Sequence, residues 1–168
     1  LFDVDGTLLD SNDAQSHAWL DALHGHGLDV RLADLRACVG MHPDDLLAEL
    51  TDIEPRSKAA RAIEDLRSVI LREHYASDLG PLPGARALVD RLRSRGLTCV
   101  AITGATRPEV DVLLRAATIA DLIDVIVCED DLRKLPNEEA PRSGPFRPSV
   151  ELVVLGLARA ELAAGEAV

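Results

Sequence analysis

Near its start the chain runs Leu1-Phe2-Asp3-Val4-Asp5-Gly6-Thr7-Leu8-Leu9-Asp10-Ser11. Two carboxylates two residues apart, at the end of a strand, can face one side together. Such a pair can hold a hard cation through oxygen ligands. Mg²⁺ in particular uses few protein carboxylates and completes its shell with water and substrate phosphate. One of the two can also attack phosphorus and form an aspartyl phosphate. Gly6 permits the sharp turn that must follow. A calcium-binding loop is a poor fit, because it needs Asp or Asn at the third alternate position and Glu at the end, where this chain has Thr7 and Ala14. A solvated turn with incidental acids is the remaining alternative, and the apolar lead and the downstream strands weigh against it.

Elements must exist to place this pair. Leu97-Thr98-Cys99-Val100-Ala101-Ile102-Thr103 and Ile123 to Cys128 are apolar runs of strand length, as expected for strands covered on both faces. Helical spacing links Ala85, Leu88, Val89 and Leu92, then Val110, Leu113, Leu114 and Ala117, then Val150, Val153, Val154 and Leu157. Ala167-Val168 reads as entry to a further strand. The alternation predicts an α/β fold: a Rossmann-like parallel sheet core built from βαβ units. Ligands bind such sheets beyond the carboxyl ends of the strands, where Asp3 and Asp5 would lie.

Residues from Ala14 to about Leu79 carry no strand signal. Trp19, Leu20 and Leu23 form one stripe, Leu46, Leu47 and Leu50 follow Pro43, and Ile63, Leu66, Val69 and Ile70 form another. The expected organisation is a core over 1–13 and 80–168, with a helical insertion over 14–79. Glu129 to Pro148, rich in proline and mixed charge, reads as a long loop near the active edge. Both ends are expected to be cuts. The chain opens directly before the acidic motif and closes on residues that read as the start of a strand.

Composition narrows the partners. The formal net charge of −11 argues against a nucleic-acid backbone or an anionic membrane, but not against a phosphorylated small molecule held by a local metal. Cys38, Cys99 and Cys128 form no CxxC pair, and Cys99 and Cys128 read as small buried hydrophobes. No leader or long apolar span is visible, so a reduced, cytoplasmic protein is expected. His17, His24, His26 and His74 have no metal-ligand spacing.

Phe2 to Ser11 resembles the first motif of haloacid dehalogenase-like (HAD) superfamily hydrolases. The helical block resembles the C1-type cap of the phosphoglycolate phosphatase and β-phosphoglucomutase-like branch. The resemblance implies that Asp3 is the nucleophile and Asp5 the general acid/base, with Mg²⁺ held at Asp3 and Asp5. Members that dehalogenate lack a carboxylate at the second position, so Asp5 implies phosphoryl chemistry. Thr103, ending a strand before Gly104, matches the second motif, whose hydroxyl and neighbouring N–H groups orient phosphate oxygens. The backbone around Gly6, Thr7 and Gly104 is implied in substrate binding. The third motif is usually a Lys in a Lys-Pro-x-Pro-Asp setting. Here Arg147-Pro148-Ser149-Val150-Glu151 stands in its place, a broad guanidinium fork where the pattern has a compact ammonium. Lys134 is the other candidate cation. The acidic pair of the fourth motif is expected beyond Val168, so residues 1–168 alone are expected to lack the full metal site. His42, in Gly40-Met41-His42, sits where a cap loop would reach the leaving group, and Asp10 where the cap would hinge. The expected activity is Mg²⁺-dependent hydrolysis of a small phosphorylated metabolite. A phosphomutase of the same branch, or a non-catalytic phospholigand-binding member, are the alternatives.

Overall fold

The computed structural model describes residues 1–132, 134 and 149–167, which fall into two compact units. The first comprises Leu1–Asp10 and the described residues from Leu79 onward; the second is Ser11–Asp78.

The first unit is an α/β sheet structure, as the alternating pattern predicts. Strand β1 (Phe2–Asp3) pairs in parallel with β4 (Val100–Ile102), which pairs in parallel with β5 (Val125–Val127). The register sets Asp3 beside Ile102, and Ile102 beside Val127. Val100, Ala101 and Ile102 are all buried, because the central strand of a parallel sheet has helices on both faces. Between the strands run α5 (Ala85–Arg93) and α6 (Arg107–Ala116), and after β5 come α7 (Glu129–Leu132) and α8 (Val150–Arg159). Leu152 of α8 joins Val100, Ile102 and Val127 in one buried cluster. Cutting such a fully enclosed leucine to alanine costs roughly 2–5 kcal/mol.

Several expectations are corrected in detail. The expected strands shorten to three residues each, and Leu97, at the start of the first run, is 48% exposed. In α5 the core side is taken by Ala85 and Val89, one turn apart, which leaves Leu88 outward. In α8, Val150 and Val154 are exposed while Leu152 and Gly156 are buried. That helix is apolar nearly all round, so periodicity does not select a face; the small Gly156, against Ile102 and Val100, does. The first four residues of the expected loop, Glu129–Leu132, form α7, and most of the remainder lies outside the described residues. Short strands β2 (Leu9–Asp10) and β3 (Gly80–Pro81) pair antiparallel, Asp10 against Gly80, so the chain leaves and re-enters this unit through adjacent segments.

The second unit is helical: α1 (Asn12–Gly25), α2 (Leu32–Ala37), α3 (Pro43–Leu50) and α4 (Lys58–His74), closed by a 3₁₀ turn at Ala76–Asp78. Ala14, Ala18 and Ala22, spaced by four, form a low ridge on α1 that lets α4 pack close with Ile63, Ile70 and Leu71. The Arg67 guanidinium lies over the Trp19 ring at 5.5 Å and donates to Gln15 at 2.9 Å. Ser57 caps α4 by accepting from the Ala60 N–H at 3.1 Å. Among the described residues no helix is long and apolar enough to cross a membrane.

Candidate active site

The Asp3–Thr7 segment folds on itself as its sequence requires. Val4 is fully buried, and its carbonyl accepts from the N–H groups of Thr7, Leu8 and Leu9 at 3.3, 3.0 and 3.0 Å. Gly6 makes this turn possible with a φ of 70°, a left-handed conformation that L side chains resist. Flanking the buried Val4, Asp3 and Asp5 are both partly exposed. The Thr7 hydroxyl donates to Asp3 Oδ2 at 3.1 Å.

Parallel pairing brings the second segment alongside. Because Asp3 is in register with Ile102, Thr103 follows at the same sheet edge. Its hydroxyl donates to Asp5 Oδ2 at 3.2 Å and accepts from the Ala105 N–H at 3.0 Å, while its own N–H donates to the Val127 carbonyl at 3.0 Å. Thr103 is 1% exposed, so its rotamer is fixed by these bonds and not by solvent. Asp3, Asp5, Thr7 and Thr103 therefore meet at the carboxyl end of the sheet, with Gly104 next in the chain.

The remaining sequence candidates are placed differently. His42 belongs to the Ser11–Asp78 unit, where its Nδ1 accepts from the Asp44 N–H at 3.2 Å as the cap of α3, with Pro43 in the first turn. Arg147 lies outside the described residues. Lys134 is exposed. Among the described residues no group of three His, Cys, Asp or Glu side chains could hold a metal ion. Asp3 and Asp5 offer two hard oxygen donors, which suits Mg²⁺ with water and phosphate filling the other positions.

Two further carboxylates escaped the sequence reading. Glu109, fully buried, accepts from both the N–H and the hydroxyl of Thr106, at 2.8 and 2.6 Å, and so anchors the start of α6. The Thr-x-x-Glu spacing of Thr106 and Glu109 was the available signal. Asp131 is 4% exposed and faces Arg107 and Arg159. Burial pushes its carboxyl up, but bonds from Arg159, from the backbone and thiol of Cys128, and the nearby Arg107 charge together hold it well below the usual carboxylate range. Nothing in the local sequence marks that residue.

Residues 1–142 match the family model described as haloacid dehalogenase-like hydrolase. The chain belongs to that family. The HAD chain is 29% identical over 154 residues to Protein CbbY of Rhodobacter capsulatus, across 79% of this chain and 63% of that protein. It is 27% identical over 143 residues to fructose-1-phosphate phosphatase YqaB of Escherichia coli, across 79% of this chain and 70% of that one. The chain thus spans less than two thirds of the length of CbbY. A hydrolase of Pseudomonas syringae shares the HAD chain's fold, with a TM-score of 0.77 at 21% identity, covering 96% of this chain and 70% of that one.

Proposed function

We propose that this HAD chain carries the phosphoryl-transfer site of a Mg²⁺-dependent phosphatase acting on a small sugar-phosphate-type monoester. The observation that carries this reading is the meeting of Asp3, Asp5 and Thr103 at one sheet edge, with Thr103 bonded to Asp5. Kinship with a fructose-1-phosphate phosphatase supports the substrate class.

Asp3 attacks phosphorus, forming an aspartyl phosphate (an acyl phosphate) as the bond from phosphorus to the sugar oxygen breaks. Asp5 gives its proton to the departing alkoxide, then takes one from the water that attacks the aspartyl phosphate and frees Asp3. Thr7 and Thr103 hold the two carboxylates in their separate orientations, so neither must be ordered during the reaction. Asp3 and Asp5 would hold Mg²⁺, which supplies neutralisation of the phosphoryl charge. The Gly6 and Thr7 N–H groups already donate to the Leu9 and Val4 carbonyls, so Gly6 serves by shaping the turn and Thr7 by orienting Asp3. Gly104, next to Thr103, would lie beside the phosphate, and Arg147 would supply a cation. The helical Ser11–Asp78 unit is read as the cap that the family resemblance implies, and His42 within it caps α3. The unpaired, buried cysteines suit a reducing compartment, the cytoplasm.

The test is inorganic phosphate release from a panel of sugar phosphates by the full chain, with and without chelator, beside Asp3→Asn. Release that the chelator and the substitution both abolish supports the reading. Transfer of phosphate to a sugar hydroxyl instead of water identifies a mutase. Binding of a sugar phosphate without turnover identifies a non-catalytic member and overturns the enzyme reading.

A further inference from the structure

A buried carboxylate is expensive unless charge and hydrogen bonds compensate it. Asp131 is compensated from three directions. Oδ2 accepts from the Cys128 N–H at 3.0 Å and from Arg107 Nη2 at 2.8 Å, while Oδ1 meets Arg159 Nη2 at 3.0 Å. These partners belong to the end of β5, the first turn of α6 and the last turn of α8. Arg159 reaches further, donating through Nη1 to the Ile126 carbonyl at 3.2 Å.

The helix that carries Asp131 is also stitched to the segment after Thr103. The Glu129 N–H donates to the Ala105 carbonyl at 3.1 Å, and the Arg107 N–H donates to Asp130 Oδ2 at 2.6 Å. Thr103, Ala105, Thr106 and Arg107 are thus each tied to a neighbour. A helix start beside a phosphate site often serves as an anion cradle. Here the Thr106 and Arg107 N–H groups are taken by Glu109 and Asp130, and Pro108 has none. The first turn of α6 works as an anchor for the loop, and the loop carries Thr103.

We propose that Asp131 is a positioning residue: it clamps α7 to the first turn of α6 and so holds the Thr103–Arg107 loop with the Thr103 hydroxyl on Asp5. The role in catalysis rests on the phosphoryl-transfer reading above; the clamp itself does not.

Two readouts on the full chain separate the two. In hydrogen exchange, Asp131→Asn speeds exchange of the Ala105, Arg107 and Glu129 amides about tenfold or more, because local opening there no longer breaks the ion triad. In Mg²⁺-dependent phosphate release, it lowers kcat by about tenfold to a hundredfold, the scale of a small misplacement of a reacting group. Arg107→Gln, at a partly exposed site that tolerates the change, loses the same clamp from the α6 side and moves both readouts in the same direction. Asp121→Asn, which breaks the surface pair with Arg86, leaves kcat unchanged and controls for stability loss alone. In a Thr103→Ala background Asp131→Asn adds less than about twofold, because residues acting through one group are not additive. Full additivity with Thr103→Ala overturns the positioning role. Exchange unchanged in Asp131→Asn overturns the clamp whether or not the protein is active. A wild-type chain that releases no phosphate sinks the phosphatase reading and the catalytic half of this proposal, while the exchange result still decides the clamp.

Discussion

The Thr103 hydroxyl donates to Asp5 Oδ2 at 3.2 Å although the two residues stand 98 positions apart. The Ala105 N–H fills a lone pair of the Thr103 hydroxyl oxygen, so the hydroxyl hydrogen is directed at the carboxylate. The bond links the two strands whose parallel pairing builds the site, and it fixes the face that Asp5 presents.

Removing that donor should therefore hurt both turnover and stability. Thr103→Ala leaves Asp5 without this partner and the Ala105 N–H without its acceptor, a penalty of about 1–3 kcal/mol in stability. Its effect on kcat/KM is expected to be roughly 10²-fold, the scale of losing one preorganised donor. Thr103→Ser keeps the hydroxyl and should stay within about tenfold of wild type, since only a methyl is lost. Steady-state phosphate release and thermal melts check both. Equal activity of the Ala and Ser variants would remove Thr103 from the mechanism.

Asp5 should be separable from Asp3 by the species that accumulates. Asp3→Asn removes the attacking oxygen, so no covalent intermediate forms. Asp5→Asn leaves the nucleophile but no proton carrier, and the loss is about 10²–10⁴-fold in rate. Intact-mass measurement after mixing with a reactive aryl phosphate should find a phosphorylated chain with Asp5→Asn and none with Asp3→Asn. Phosphorylation of the Asp3→Asn chain would assign the nucleophile elsewhere.

The parts of this site that could be read in advance are those written locally. Asp3 to Thr7 announces itself by carboxylate spacing and a glycine, and Thr103 by its place after an apolar run. The parts that could not be read depend on contacts between distant residues. Arg107 and Asp131 are 24 positions apart, and only the pairing of β4 with β5 makes them neighbours. Strands β2 and β3 are two residues long, below the length at which alternation carries any signal. In α8 the apolar character extends around the whole helix, so Val150 and Val154 looked as fit for the core as Leu152.

Tyr75 gives a prediction in the helical unit that depends on pH. Its hydroxyl donates to Asp21 Oδ2 at 2.7 Å, and that bond, with burial and nearby acids, pushes the phenol up to about 12. A raised folded-state value means that the bond stabilises the neutral form. Its contribution is complete below about pH 10, the ordinary tyrosine value, and is lost as pH climbs through 12. The exposed setting keeps the gain under about 1 kcal/mol. Tyr75 is the one tyrosine in the sequence, so phenolate absorbance reports it alone. Asp21→Asn should bring the midpoint back toward 10; a wild-type midpoint already there, with far-ultraviolet dichroism intact, would show that the bond does not form in solution.

Two glycines in helices should respond to alanine with opposite signs. Helix propensity alone favours alanine by about 1 kcal/mol at either place. At Gly25, the last residue of α1, a new Cβ would meet only the Leu66 Cδ2 atom at 3.4 Å, an ordinary contact with the end of a flexible side chain. Gly25→Ala should raise the melting temperature. At Gly156, in α8, the Cβ would stand 3.1 Å from Ile102 Cγ2, with Val100 Cγ1 at 3.6 Å and Leu1 Cδ2 at 3.7 Å behind it. Ile102 is β-branched, buried and held on the central strand, so its methyl cannot swing aside. Overpacking of about 1–3 kcal/mol then exceeds the propensity gain, and Gly156→Ala should melt lower by a few degrees. Ile102 directly precedes Thr103, so the same push reaches the hydroxyl on Asp5, and Gly156→Ala should also lose turnover while Gly25→Ala does not. Differential scanning calorimetry and phosphate release on the two variants check the contrast; a stabilised Gly156→Ala with full activity would mean that α8 sits looser on β4 than 3.1 Å implies.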